Sequence, residues 1–351
     1  MLEPPASTDR GTKAMRRTIF ALTNLALGAL LALAAPAPGA QAQPAERVTF
    51  GLDWVAEAEY GGYYQAVATG LYARRGLQVT IRQGGPQVNH MQLLMAGQLD
   101  FNLGGGRAIE FAAEGLPYLA VAAMYQKELA VLIAHPNVGS DTFETLKGKP
   151  VAIGADTRNG WWRFLAAKYG YTESQIRPYT FNLAPFLANK DLIQQGYLSS
   201  EPFLIQKETG IAPRVLMLSD AGYLGYANIV TTSRRLVEQK PDLVQRFIDA
   251  SIEGWYSYLY GDPAPADRLI REANPEMPQE LIDYGRRVMK ERGILDSGDA
   301  LTLGIGAMTD ERWRGFYASQ VAVGVYKPGI DISKAYTTRF VNRRTGIELK
   351  K

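Results

Sequence analysis

Three stretches of this chain hold the side chains best suited to gripping a small molecule. Asp53-Trp54 runs on to Tyr60-Gly61-Gly62-Tyr63, Asn102 to Arg107 contains Gly104-Gly105-Gly106, and Gly154 to Trp162 ends on Asn159-Gly160-Trp161-Trp162. Aromatic rings offer flat faces for stacking. Glycine-rich turns at the start of a helix leave backbone N–H groups unhindered for a ligand. The candidates are Trp54, Tyr60, Tyr63, Asn102, Gly104, Gly105, Asn159, Trp161 and Trp162. Each has a plainer role as well: the aromatics serve equally as core or surface, the glycines as a tight turn, and Arg107 as a solvated charge. Clustering of the aromatics at predicted strand ends favours ligand contact. Trp161 and Trp162 are adjacent, so on a helix they point about 100° apart and only one can face a cleft. Which one is left open by the sequence.

Signals for catalysis are missing. Gly104-Gly105-Gly106 lacks the third glycine of a dinucleotide fingerprint, that position being Ile109, and Gly304-Ile305-Gly306 fails in the same way at Thr309. There is no Walker A sequence, H-E-x-x-H or G-x-S-x-G. His90 and His135 are the only histidines, far apart in sequence, and each reads as structural. Carboxylates are plentiful, so acid/base chemistry is unsupported rather than excluded.

The elements that must position these residues alternate between strand and helix. Val48, Phe50, Leu52 and Trp54 alternate as a strand, and Tyr64, Val67, Ala68, Leu71 and Tyr72 follow at helical spacing. Leu77, Val79 and Ile81 read as the next strand, Val88, Met91, Leu94 and Met95 as the next helix, and Leu99 to Leu103 as a third strand. The same order restarts after His135-Pro136-Asn137, with a strand at Val151 to Ile153, a helix from about Gly160 to Lys168 and a strand near Tyr179. Beyond a strand-like segment at Ile229 to Thr231, Leu236, Leu243, Val244, Phe247, Ile248, Trp255 and Leu259 form an apolar helical stripe, expected to pack on the first unit. This order predicts two α/β lobes, each built on a largely parallel sheet. In such sheets ligands bind beyond the carboxyl ends of the strands, where the three stretches lie.

At the N-terminus, Arg16-Arg17, the apolar run Thr18 to Ala35 and the small-residue sequence Ala40-Gln41-Ala42 follow the order of a signal peptide. Residues 1–42 are therefore expected to be a leader that directs export. The whole chain has 38 Lys and Arg against 35 Asp and Glu, and the leader holds four of the former and two of the latter, so the remaining 309 of the 351 residues carry +1. No basic excess is left for nucleic acid. The 46% apolar content permits a large core, and the absence of Cys excludes disulfides, thiolate metal sites and Cys nucleophiles. No metal or other cofactor is expected.

Collinear motifs give the chain a resemblance to the SsuA/THI5-like (NMT1-like) group of ABC-transporter substrate-binding proteins. The segments are Val48-Thr-Phe-Gly-Leu-Asp-Trp54, Tyr63-Tyr-Gln-Ala66, Gly70-Leu-Tyr72, Met95-Ala-Gly-Gln-Leu-Asp100, Thr145-Leu-Lys-Gly-Lys149, Gly196 to Phe203 with Ser200-Glu201-Pro202, and Pro241-Asp-Leu-Val244 through Glu253-Gly254-Trp255. The resemblance implies a type II periplasmic-binding-protein fold, with two α/β lobes around a ligand cleft and crossovers near His135 and Asn228. Lobe 1 would be residues 43–137 and 231–351, and lobe 2 residues 138–230. It implies a monomeric, periplasmic receptor that serves an inner-membrane ABC permease and its ATPase. Its ligand would be a small heteroaromatic such as a thiamine pyrimidine precursor or riboflavin, with a sulfonate such as taurine as the alternative. It further implies that Trp54 stacks on the ligand and Glu201 pairs with it. A pyrimidine synthase of the same fold depends on a Cys-rich iron motif, and this chain has no Cys. The aromatic character of the candidate cleft favours a flat ring over a sulfonate.

Overall fold

A computed structural model describes residues 1–3, 44–85, 88–104 and 107–350. The expected leader, beyond its first three residues, and Gly105 lie outside them, as does the side chain of Asn159. The chain divides into Met1–Pro44 and Ala45–Lys351, and all that follows concerns the second unit. Among the described residues no helix is long and apolar enough to cross a membrane.

Among the described residues ten strands form two five-stranded sheets. The first sheet has the order β2-β1-β3-β10-β4, from β1 (Glu46–Gly51), β2 (Leu77–Arg82), β3 (Phe101–Leu103), β4 (Tyr118–Tyr125) and β10 (Ala227–Ser233). The second has the order β7-β6-β8-β5-β9, from β5 (Ala130–Ala134), β6 (Val151–Ile153), β7 (Ile176–Pro178), β8 (Ile193–Tyr197) and β9 (Arg214–Met217). In each sheet the fourth strand runs antiparallel to both neighbours, β10 between β3 and β4 and β5 between β8 and β9. These antiparallel members are the strands on which the chain has just crossed between sheets.

The crossings differ from expectation. Strand β5 pairs wholly within the second sheet, so the first crossing falls between Tyr125 and Ala130 rather than near His135. The return falls between Met217 and Ala227, and Asn228 is already in the first sheet. The third strand begins at Phe101, and the strand expected near Tyr179 stops at Pro178, which leaves Tyr179 at the start of a loop.

The apolar stripe from Leu243 to Leu259 forms the helix Pro241–Tyr260, which packs on the first sheet and on the helix Gly61–Ala68, while Leu236 belongs to a separate short helix, Arg234–Gln239. Phe247 stacks on Phe101 at 4.1 Å, and Trp255 meets Tyr63 and Tyr125 edge-on at 5.6 and 5.7 Å. Close helix approach explains Gly61-Gly62: a Cβ on Gly62 would lie 2.2 Å from the Trp255 ring, and one on Gly254 would lie 2.2 Å from the Gly62 carbonyl oxygen. A separate cluster around Trp162, Val151, Ile153, Leu165, Ile193 and Leu216 fills one face of the second sheet.

Candidate ligand site

The carboxyl ends of β1, β6, β7 and β8 feed the segments that meet between the two sheets. Trp54 leaves β1, and Phe181 leaves β7; their ring centroids lie 4.5 Å apart with the planes tilted by 47°. Tyr179 lies 5.1 Å from Phe181 and donates from its hydroxyl to Glu201 Oε1 at 3.3 Å. Glu201 opens the helix Glu201–Thr209 just after β8, and its other oxygen accepts the Tyr197 N–H at 2.8 Å.

Around these rings lies a set of carboxyl groups. Glu59 sits in the 3-10 turn Ala58–Tyr60, is 7% exposed, and accepts a hydrogen bond from the Ser199 hydroxyl, contributed by the segment after β8. Its backbone carbonyl accepts from Tyr125 at 2.7 Å and from Asn228 at 3.2 Å, so the end of β4 and the start of β10 hold this turn. Burial raises the Glu59 carboxyl above its ordinary range. Glu57 is pushed well up, first by burial and then by the charges of Glu59 and Glu201, with a hydrogen bond to Trp54 acting the other way. Burial likewise raises Glu201, Glu128 and Asp53. Asp53 keeps solvent contact, which softens the push, and accepts from the Tyr60 hydroxyl at 2.8 Å. None of these five carboxylates takes part in an ion pair among the described residues. No group of three or more His, Asp or Glu among the described residues is arranged to hold a metal.

The sequence candidates separate into two groups. Trp54, Tyr60 and Glu201 lie in the acidic, aromatic region just described. Tyr63 does not: it is fully buried between Phe50 and Trp255, and its hydroxyl donates to Asn228 at 2.6 Å. Trp162 is also fully buried, in the second core against Tyr171, so the open choice between the tryptophans leaves only Trp161, which is partly buried at the margin of that core. Asn102 is 1% exposed, and its side-chain oxygen has no hydrogen-bond partner among the described residues. The Gly104 N–H is committed to the Ile229 carbonyl at 3.1 Å and is not free for a ligand. Glu57, Glu59, Tyr179 and Phe181 were not singled out from the sequence. Short loops and a single 3-10 turn carry them, and such segments have no periodicity to show which way a side chain faces.

A cavity of about 380 Å³ lies on the second sheet, lined by Ala152, Arg177, Tyr179, Asn182, Leu192 and Gln194 among others. It shares Tyr179 with the region between the sheets but touches none of Trp54, Glu57, Glu59 or Glu201. The junction of the two sheets is the better candidate, because there aromatic faces and polar groups from both sheets converge.

Residues 57–266 match the family described as NMT1/THI5 like. A curated relative, the riboflavin-binding protein RibY of Chloroflexus aurantiacus, is 26% identical over 317 residues, covering 88% of this chain and 89% of the relative. Among solved structures, the periplasmic aliphatic sulphonate binding protein SsuA from Escherichia coli superimposes with a TM-score of 0.60 at 16% identity, covering 83% of this chain and 91% of that one. The desulfurization enzyme DSZB superimposes with a TM-score of 0.52 at 14% identity over 84% of this chain and 97% of that one. At such identities the structural matches establish the two-lobed periplasmic-binding-protein fold and leave chemistry to the site.

Proposed function

Since the chain belongs to the NMT1/THI5-like family, we propose that it is the solute-binding component of an ABC importer and that its ligand is a flat heteroaromatic of the riboflavin or thiamine-pyrimidine class. The observation that carries this reading is the junction of the sheets, where the Trp54 and Phe181 rings adjoin carboxyl groups that have no cationic partner among the described residues. Carboxylates accept hydrogen bonds from ring N–H groups, exocyclic amines and sugar-alcohol hydroxyls. A sulfonate group has only acceptors and a fixed negative charge, so the same groups repel it, and in taurine only the ammonium at the other end is attracted.

Riboflavin is the first choice. It combines a large flat ring with a chain of hydroxyl donors, and the Chloroflexus relative is named for binding it. A thiamine pyrimidine precursor fits the acidic groups equally well and uses less of the aromatic surface. Taurine-type ligands are the second reading, favoured only by fold likeness to the sulphonate-binding protein.

In this reading residues 1–42 direct export to the periplasm, and the mature chain works as a monomer with an inner-membrane permease and its ATPase. The lobe limits fall at the crossings 126–129 and 218–226. The protein acts without a cofactor and does not transform its ligand, and the absence of Cys removes the Cys-rich motif on which the synthase alternative depends.

The test is titration of purified protein with riboflavin, a 4-amino-pyrimidine thiamine precursor and taurine, followed by mass spectrometry of the recovered ligand. Binding of riboflavin or the pyrimidine, with the molecule returned unchanged, is expected. Preference for taurine sinks the ligand assignment, and turnover to a product sinks the receptor assignment.

A further inference from the structure

We propose that Phe181 is the second wall of a ring slot, so that the ligand lies between Trp54 from the first sheet and Phe181 from the second. The proposal rests on the heteroaromatic reading above and names the residue that completes the slot.

Three features of Phe181 converge. Its φ is 59°, in the left-handed region that a bulky side chain rarely adopts. The residue is 47% exposed, so it is open to solvent beside Trp54 rather than packed into either core. Its ring rests on Trp54 at 4.5 Å and passes over Gly154, where an added Cβ would lie 3.7 Å from Phe181 Cζ. A backbone turned against its preference, with the side chain aimed at an aromatic of the opposite lobe, is a pattern that recurs at ligand clamps.

The spacing shows how the slot works. Rings in contact have centroids about 4.5–7 Å apart. At 4.5 Å, Trp54 and Phe181 touch each other and leave no room for a third ring between them. Ligand entry therefore replaces one aromatic contact by two, as the sheets part or the Phe181 loop withdraws. The same short segment carries Tyr179, whose hydroxyl reaches Glu201, so the stacking wall and the polar anchor move together.

Two substitutions separate ring from backbone. Phe181→Asn keeps a residue that tolerates the left-handed conformation and removes the ring, whereas Phe181→Tyr keeps the ring. The mature chain is titrated with riboflavin by calorimetry and by flavin emission, with circular dichroism as the check on folding. Expected is quenching of the flavin by the unsubstituted protein, affinity within about twofold for Phe181→Tyr, and a loss of roughly tenfold with recovered emission for Phe181→Asn. Equal or tighter binding with undiminished quenching in Phe181→Asn overturns the slot and leaves the ligand reading intact. If the unsubstituted protein binds neither riboflavin nor the pyrimidine, the ligand reading fails and the slot fails with it.

Discussion

Arg312 donates to both the carbonyl oxygen and the side-chain oxygen of Gln126, the residue at which the chain leaves the first sheet. Its Nε reaches the Leu224 carbonyl at 3.2 Å, in the returning segment, and its guanidinium lies 4.3 Å over the Tyr226 ring. One side chain thus ties the two crossings together. The Thr309 hydroxyl caps the helix Asp310–Ala322 by accepting the Arg312 N–H at 3.3 Å, which places Arg312 on the first turn facing both strands of the junction.

This clamp should govern how the two sheets move about their junction. Arg312→Lys keeps the charge but offers a compact head group in place of a planar fork. Arg312→Ala leaves the Gln126 and Leu224 oxygens without that donor. The alanine variant should lose about 1–3 kcal/mol of stability in urea unfolding and show a larger ligand-free radius of gyration in solution scattering. The lysine variant should fall between. An alanine variant with unchanged stability and dimensions would show that Arg312 is not a clamp.

The carboxyl cluster gives stability a pH dependence of definite sign. Glu57, Glu59, Glu128 and Glu201 are all raised by burial, so the folded chain holds their protons at pH values where the unfolded chain has released them. Their contribution is fully present below the ordinary carboxylate range and is lost as pH rises through the folded values. Glu46 is lowered by its hydrogen bonds to Arg246 and Lys240 and works oppositely, losing its contribution as pH falls below that range. Between neutrality and about pH 5, above the ordinary carboxylate range, the melting temperature should therefore rise as pH is lowered. Glu57→Gln should flatten that slope, and a flat profile for the unsubstituted protein would contradict the burial of these groups.

Much of the fold was legible because its strands carry a pattern. Val48 and Phe50 are buried on either side of half-buried Thr49 in β1, and the stripe from Leu243 to Leu259 has helical spacing. Strand β5 was assigned to the wrong side of the first crossing because Ala130 to Ala134 are all apolar and all buried, with no alternation to show which sheet they join. Tyr63 looked like a ligand contact because it follows Gly61-Gly62 near a strand end. Those glycines instead let the helix Gly61–Ala68 approach Trp255 and Gly254, and Tyr63 is carried into the core with them. Glu59 and Phe181 were invisible for another reason: the burial of one and the backbone conformation of the other depend on contacts with segments far away in the chain.

The neighbouring tryptophans test the division between core and margin. Trp162 fills the second core with no exposed surface, so Trp162→Ala should cost about 3–5 kcal/mol of stability. Trp161 keeps part of its surface in solvent, and Trp161→Ala should cost under about 1.5 kcal/mol, below the loss for a fully buried large side chain. Urea unfolding of both variants decides the matter, since equal losses would place both rings in the core.

Trp54 and Glu201 separate the ligand classes, because one supplies a ring face and the other a charge. Trp54→Ala removes the stacking surface and should weaken riboflavin binding by about 1–3 kcal/mol, the range for base-on-aromatic contacts. Glu201→Gln keeps an oxygen able to accept the Tyr197 N–H, so the start of the helix Glu201–Thr209 should survive the change. What is lost is the negative charge that faces Glu57 and the acceptor strength offered to a donor on the ligand. For riboflavin or an amino-pyrimidine the cost should be about 1.5–3 kcal/mol, as for a hydrogen bond to a charged group. For a simple alkanesulfonate, which has no ammonium group, the sign reverses, since removing a carboxylate from the site relieves repulsion of the anion. Calorimetry with riboflavin and the alkanesulfonate on both variants reads the sign directly: tighter alkanesulfonate binding in Glu201→Gln, with riboflavin untouched by either substitution, would transfer the site to an anionic ligand and abandon the aromatic slot.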